Sequence, residues 1–436
     1  MNKPNIIFYF SDQQRADSAG CYGQKLPVTP NLDAFAEEGT LFENAFTCQP
    51  VCGPMRACLQ SGVYASQNGC YRNDIALPPD TKGIAHYLTE AGYDTAYIGK
   101  WHLASDKEHR LATKPTPKER RGGYDYWRAA DILEFTSHGY NGYVFDENCN
   151  KLEFKGYRAD KINDYAIEYV KKPHDKPFFM FVSQLEPHHQ NDRLRFESPK
   201  GLKKKFKNYE VPGDLEGTIG DWRLQMPSYL ACGNRVDENF GKLIQALKDE
   251  GIYDNTVIIY TSDHGCHFRT RNLEYKRSCH ENSIKVPLVI TGGGFTGGGK
   301  VSDLVSLIDL PATVLDIAGA EIPEHFMGKS LTDKKGHDSV FIQISESQIG
   351  RAVRTDRWKY SVSAKNKDSA FADKYYEDCL YDLKHDPYEK NNLADHPGYA
   401  RTRAMMKEIL LDYMKKAGEP VWDIEEAEKK INLRRN

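Results

Sequence analysis

Short apolar runs and amphipathic runs alternate along this chain. Ile6–Phe10, Asp94–Ile98, Phe178–Ser183 (FFMFVS), Thr256–Thr261 (TVIIYT) and Val286–Thr291 (VPLVIT) read as strands, most of them apolar enough to be buried on both faces. Between them, Asn31–Glu38, Lys82–Ala91, Lys161–Val170 and Ser306–Ala318 carry helical patterns. The clearest helix spans Met226–Glu250, where Met226, Tyr229, Leu230, Val236, Phe240, Leu243, Ile244 and Leu247 recur at helical spacing. The alternation predicts an α/β fold with a mostly parallel central sheet sandwiched by helices. After about residue 335 the texture changes: VFIQIS, RAVRTDRWKYSV and CLYDL read as short strands between turns, and a helix follows from Tyr399 to Ala417. The expectation is a large domain over 1–335 and a smaller C-terminal α+β subdomain, with an antiparallel sheet, over 336–436.

Composition narrows the picture. The 436 residues are 39% hydrophobic and 28% charged, enough for a large core in a globular protein. A net charge of −3 gives no reason to expect a nucleic-acid partner, and the basic run Lys203-Lys204-Lys205 reads as a solvated loop. The glycine-rich stretch TGGGFTGGGK (291–300) lacks a Ser or Thr after its lysine and opens no helix, so it reads as a surface turn rather than a phosphate loop. Ten cysteines show no repeating framework and no paired CxxC, which points to free thiols in a reducing compartment; a disulfide among Cys48, Cys58 and Cys70 stays open. The apolar run before Ser11-Asp12 is too short for a signal sequence, and no stretch is long enough to span a membrane. The expectation is a cytoplasmic protein with no membrane partner. The alternative is an exported one whose signal peptide is not present in this chain.

In sheets of this kind ligands bind beyond the carboxyl ends of the strands, so polar residues that directly follow a strand carry the chemistry. Asp12-Gln13, Lys100 and His102 in GKWHL, His188-His189, and Asp263-His264 are such residues. The carboxylates of Asp12 and Asp263, with Gln13 and His264 beside them, offer oxygen and imidazole ligands for a divalent cation. Residues 50–62 read PVCGPMRACLQSG. Pro54 suits the first turn of a helix that Gly62 ends, and this puts Cys52 just ahead of the helix N-terminus with Arg56 one turn on. Unpaired N–H groups and the helix dipole there lower a thiol's pKa and favour anions. A buried structural cysteine ahead of an ordinary helix fits the same thirteen residues. Lys276 lies in a basic loop, FRTRNLEYKRSCHEN. Several cations, a metal and a helix N-terminus meeting at Cys52 would form a site for a multiply oxygenated anion.

Cys52-Gly53-Pro54-Met55-Arg56 fits a CxPxR signature, followed by Leu59 and Ser61-Gly62. Together with PNIIFYFSDQQ, GCYG, TPNLDAFAEEGTLFENAF, GYDTAYIGKWHL, TSDHG, KVPLVI, RWKY and LYDLKHDPYEKNNLA, it resembles the type I sulfatases of the alkaline-phosphatase-like superfamily over nearly the whole chain. The resemblance implies that residues 1–335 are the catalytic domain and that a maturation enzyme converts Cys52 to formylglycine. The aldehyde hydrate would attack sulfur and displace the alcohol, and its second hydroxyl would then expel sulfate. By position, Asp12, Gln13, Asp263 and His264 match the metal ligands, with residue 52 completing the set. Arg56 matches the residue that steadies the hydrate, and Lys100 and Lys276 the lysines that hold sulfate. His102 matches the histidine that assists the second step. His188 matches the histidine near the leaving oxygen, with His189 an alternative beside it.

Three positions depart from the common pattern. Met55 stands where most members have Ser or Ala, Gln13 where many have a second Asp, and His264 where many have Asn. The Asp-Gln with Asp-His combination also occurs in related phosphonate monoester hydrolases and choline-sulfatase-like enzymes. Calcium is the implied cation, with manganese or magnesium as alternatives because imidazole suits a borderline metal. The reading is a sulfuric ester hydrolase acting on a sulfated saccharide. The alternatives are a phosphonate or phosphate diester hydrolase, or a non-catalytic binder of sulfated glycans if Cys52 is never converted. The sugar would be chosen by loops such as Glu134–Lys155 and Arg193–Gly220, which carry no readable pattern.

Overall fold

The computed structural model describes residues 3–366, 369–420 and 424–426. Five parallel strands form the centre of its large sheet, in the order Thr256–Ser262, Asn5–Ser11, Phe178–Ser183, Asp94–Lys100 and Tyr126–Ala130. The first three are buried at every residue, which is why they read as unbroken apolar runs rather than alternating ones. Successive side chains point to opposite faces. Ile6, Phe8 and Phe10 therefore join one core layer, with helices Cys52–Ser61, Ile84–Glu90 and Asp309–Ile317. Ile7 and Tyr9 join the other, with Pro30–Glu38, Arg158–Val170 and Trp222–Asp249. Phe8 stacks on Phe181 of the next strand with ring centroids 4.6 Å apart. Buried aromatics of this kind contribute about 2–3 kcal/mol each.

Antiparallel strands extend the sheet on both flanks to twelve strands. Thr40–Phe46 pairs antiparallel with Lys285–Val286 and Leu288–Thr291, and parallel with Gly299–Ser306. On the other flank Asn141–Asp146 runs antiparallel to Tyr126–Ala130 and carries Ser137–His138 and Lys151–Lys155. The predicted strand Val286–Thr291 is interrupted at Pro287, which has no N–H for the ladder. The helix expected from Ser306 starts at Asp309, because Ser306 is still paired to Phe46. The segment taken for a loop, 134–155, contains most of the one-turn helix Leu133–Thr136 and then three strands. The glycine-rich stretch is the expected turn, between Leu288–Thr291 and Gly299–Ser306. All ten cysteines are free thiols.

The smaller sheet has the order Ser339–Ile344, Gly350–Thr355, Trp358–Ser363, Tyr375–Asp382 and Ile424–Glu425, antiparallel except for the last pair. The helix Ala400–Lys416 buries Met406, Leu410 and Met414 in the same core as Phe341, Val353 and Tyr360 of this sheet. That core is continuous with the helix carrying Cys52, and Tyr64 meets Phe341 edge to face at 5.3 Å. No helix among the described residues is long and apolar enough to cross a membrane.

Candidate active site

The sheet brings the acidic pair together by register. Ser11 pairs with Ser262, so Asp12 and Asp263 leave adjacent parallel strands side by side, with strand axes about 4.8 Å apart. Lys100 ends a strand two places away, beyond Phe178–Ser183, and its long side chain spans that gap to place Nζ 2.9 Å from Asp12 Oδ2. The close approach there depends on Gly99. A Cβ at this position would lie 1.9 Å from the Ser183 carbonyl oxygen, and φ is +107°.

Cys52 is the first residue of its helix, one place further in than the sequence pattern suggests, with Val51 as the extended N-cap. Asn73 Oδ1 accepts the Gly53 N–H at 3.1 Å, satisfying one of the unpaired donors of that first turn. Cys52 Sγ lies 2.7 Å from Lys276 Nζ, 3.3 Å from His264 Nε2 and 3.4 Å from Asp12 Oδ1. Asp12, Cys52, Asp263 and His264 each bring one ligand atom to within 4.8 Å of the others, and all four residues are buried. This donor set fits a divalent cation. Asp263 Oδ2 is buried without a hydrogen-bond partner among the described residues, while Asp263 Oδ1 accepts the N–H groups of Gln13 and His264 at 2.9 and 2.8 Å.

The charges are unevenly balanced. Burial, and then the neighbouring Asp12, push the Asp263 carboxyl up to about 7. Burial and Cys52 also push Asp12 up, but Lys100, His188 and Arg56 outweigh them and hold it well below the usual carboxylate range. Burial raises the Cys52 thiol, yet Lys100, Lys276, His264 and a hydrogen bond from His102 bring it well below an ordinary thiol. Two buried acids and an acidified thiol side by side make a cluster that draws a cation, flanked by Lys100 and Lys276, which draw an anion.

Each residue expected from the sequence has a definite place. Arg56 donates from Nη2 to Asp12 Oδ2 at 3.1 Å and from Nη1 to Ser183 Oγ at 2.6 Å and the Lys100 carbonyl at 2.9 Å, so it fixes Asp12 to two strands. Lys276 Nζ sits 3.2 Å from His188 Nε2 and 3.1 Å from His264 Nε2. Its loop is tied to itself: His267 Nε2 lies 3.1 Å from the Lys276 carbonyl, and burial lowers His267 to about 4, so it is neutral. Burial also lowers His188, whose Nδ1 has no partner among the described residues. His189 points elsewhere, stacked on Tyr275 at 4.4 Å. His102 faces Cys52 with its Nδ1 buried and unpartnered among the described residues, held at φ 62°. Gln13 also adopts the left-handed conformation, φ 70°, and such values in non-glycine residues cluster at functional sites. Its amide is occupied by Cys266 Sγ at 3.3 Å and the His189 N–H at 3.4 Å, rather than turned to the acidic pair.

Sequence reasoning missed four residues. Glu134 Oε1 accepts from Lys100 Nζ at 3.1 Å, and its carboxyl, though buried, is lowered to about 2 by that lysine. Asp131 accepts the N–H groups of Leu103, Ala104 and Ser105 and so shapes the loop after His102. Asn73 and Glu346 bind one another's neighbourhood: Glu346 Oε2 accepts the Asn73 N–H at 2.9 Å and Oε1 accepts from Arg277 Nη2 at 2.6 Å. Asp131 alone had a signal, its place directly after the strand Tyr126–Ala130, which itself was not recognised.

Known proteins point the same way. The Sulfatase family matches residues 4–320, and the family "N-sulphoglucosamine sulphohydrolase, C-terminal" matches 272–416. The uncharacterised sulfatase YidJ of Escherichia coli (strain K12) is 32% identical over 462 aligned positions, covering 96% of this chain and 89% of that protein. The solved structure of the yidJ protein from Bacteroides fragilis superposes with a TM-score of 0.85 at 26% identity, covering 96% of this chain and 97% of the other. A second structure, in complex with its substrate D-glucosamine-2-N,6-O-disulfate, superposes with a TM-score of 0.78 at 25% identity, covering 96% and 98%. The chain belongs to the type I sulfatases of the alkaline-phosphatase-like superfamily.

Proposed function

We propose that this sulfatase removes sulfate from a sulfated carbohydrate, using a formylglycine hydrate that a maturation enzyme makes from Cys52. The observation that carries the reading is the setting of Cys52 Sγ, the atom standing where a hydrate hydroxyl would sit, between Lys276 Nζ, His264 Nε2 and Asp12 Oδ1. A divalent cation held by Asp12, Asp263, His264 and the oxygen at position 52 would polarise the sulfate oxygens and favour the ionised hydrate. Buried carboxylates favour calcium for that role, while the imidazole of His264 admits manganese or magnesium. Gln13, beside Asp12, would be a further ligand to that cation if its side-chain amide turned from Cys266 Sγ and the His189 N–H.

The remaining steps fall to side chains of this chain. Lys276, 2.7 Å from Cys52 Sγ, and Lys100, near enough to acidify that thiol, would neutralise the sulfate oxygens. Arg56 keeps the Asp12 carboxylate ionised and aimed. The ester breaks between sulfur and the sugar oxygen, and His188, beside Lys276, is placed to hold the proton that the departing alcohol needs. His102, whose imidazole hydrogen-bonds the side chain at position 52, is placed to take the proton whose loss frees sulfate. A sugar as the alcohol is supported by the disulfated glucosamine bound in the related structure. All of these residues lie within 1–335, which we take as the catalytic domain, closed on one side by 336–436.

Parallel assays of the matured protein on an aryl sulfate and an aryl phosphodiester test the reading. Faster turnover of the sulfate is expected, and faster turnover of the diester would replace it with a phosphonate or phosphate diesterase. Mass spectrometry of the peptide holding Cys52 should find an aldehyde in the active protein. Full activity from an unconverted peptide would overturn the mechanism.

A further inference from the structure

The basic run Lys203-Lys204-Lys205 does not lie on a bare loop. Leu202 and Phe206, at the ends of the one-turn helix Leu202–Phe206, are buried beside Phe196, Trp222 and Met226, and this anchors the lysines between them. Lys203 and Lys204 line a cavity of about 700 Å³, together with Arg193, Arg195 and Lys200. Five cations in one hollow of a protein with net charge −3 are opposed by Glu197, whose Oε1 lies 2.9 Å from Arg193 Nη1 and 3.1 Å from Arg195 Nη2. The remaining walls are not ionic. Tyr140 is partly exposed and lies under Lys200 Nζ at 5.1 Å, and Leu194 and Leu224 are largely exposed. Flat aromatic and aliphatic surface beside fixed cations suits a pyranose ring that carries acidic substituents.

The hollow shares two segments with the reaction centre. Glu134, whose carboxylate holds Lys100, accepts Gln190 Nε2 at its carbonyl at 3.0 Å and is followed by the strand residue His138, which lines the hollow. From the other side His188 leads through Gln190 to Arg193, and Phe196 in the wall packs edge-on against His189 at 5.1 Å. The segments 134–138 and 188–196 therefore each carry a residue of the reaction centre at one end and a residue of the hollow at the other.

We infer that the hollow lined by Arg193, Arg195, Lys200, Lys203 and Lys204 is a second anion subsite that binds a further sulfated or carboxylated sugar of the same saccharide chain. The inference rests on the sulfatase reading for the position of the first sulfate. It makes the preferred substrate an oligosaccharide with more than one acidic group rather than a singly sulfated monosaccharide.

The test combines binding and turnover in the full chain. In the Cys52→Ala background, a fluorescent sulfated hexasaccharide is titrated against the protein with and without Lys200→Ser, Lys203→Ser and Lys204→Ser together. These are exposed side chains outside the catalytic machinery, so the fold is expected to persist and circular dichroism checks it. The triple substitution should weaken binding about five- to tenfold at low salt, with the difference shrinking as salt rises. Unchanged affinity would overturn the subsite. Equal binding of the desulfated hexasaccharide would overturn its anionic character, and equal binding of a single-stranded oligonucleotide of the same charge would overturn its assignment to a saccharide. In the matured protein the same triple substitution should raise KM for the hexasaccharide and leave turnover of a monosulfated monosaccharide unchanged. Failure of the unsubstituted protein to turn over either ester would remove the sulfatase reading, while the binding titration still decides the subsite.

Discussion

At the scale of single residues, Cys52 and Asp263 carry the sharpest consequences. Cys52 is a small side chain at the start of a helix whose packing is set by its neighbours, so Cys52→Ala should leave the thermal midpoint within a few degrees and lower kcat at least ~10³-fold. Residual turnover near wild type, measured on an aryl sulfate, would count against the nucleophile. The carboxyl of Asp263, raised from 3.8 to about 7, favours the metal-free fold fully below 3.8, and this contribution is lost as pH rises through 7. A cation needs the ionised form, so its binding at pH 6 should release about one proton, and calcium affinity should climb towards pH 8. Calorimetry in two buffers of different ionisation enthalpy reads this directly, and binding without proton release would show that Asp263 was already ionised. Glu134 behaves in the opposite sense. Lowered from 4.5 to about 2 by Lys100, it stabilises the fold above pH 4.5 and loses that contribution as pH falls through 2. Glu134→Gln removes one of the two carboxylates on Lys100 and should cost about 1–3 kcal/mol in denaturant unfolding at neutral pH. Glu134 could not be read from the sequence because its partner lies 34 residues away and its own segment shows no periodicity.

At the scale of elements, legibility followed burial. Strands covered on both faces, such as Asn5–Ser11 and Thr256–Ser262, announce themselves as apolar runs, and with them came Asp12 and Asp263 at their ends. Thr40–Phe46 did not, because the polar, half-buried Glu43 and Asn44 interrupt the run in mid-strand. Tyr126–Ala130 was hidden by Arg128, whose guanidinium packs over Tyr126 at 4.5 Å. The helix beginning at Cys52 was legible from Pro54 and Gly62, but not its cap, since Asn73 reaches Gly53 from 20 residues downstream. Asn73→Ala removes that acceptor. The expected cost is about 1 kcal/mol of stability. A first turn free to shift by a fraction of an ångström should also lower kcat about tenfold with little change in KM. Equal loss in kcat and stability-corrected KM would instead indicate damage to substrate binding.

At the scale of the whole molecule, the two sheets meet around the site rather than merely beside each other. Glu346, in the turn between Ser339–Ile344 and Gly350–Thr355, holds Arg277 next to Lys276 and the backbone of Asn73 behind Cys52. Glu346→Gln should therefore speed amide hydrogen exchange in the loop 265–280 and lower turnover several-fold, while the smaller sheet itself stays protected. Unchanged exchange in that loop would show that Arg277 is held by Glu274 alone. Nothing in the sequence joins position 346 to position 52, because the link exists only once both sheets have folded.

That link bears on how such enzymes diversify. A graft that exchanged the C-terminal hundred residues for those of a relative would import a new turn between the first two strands of the smaller sheet. It would thereby replace the acid that holds Arg277 beside Lys276. Unless the donor brings a carboxylate to the same turn, the hybrid should fold and still bind, yet work slowly, so the two lobes are free to change only in step.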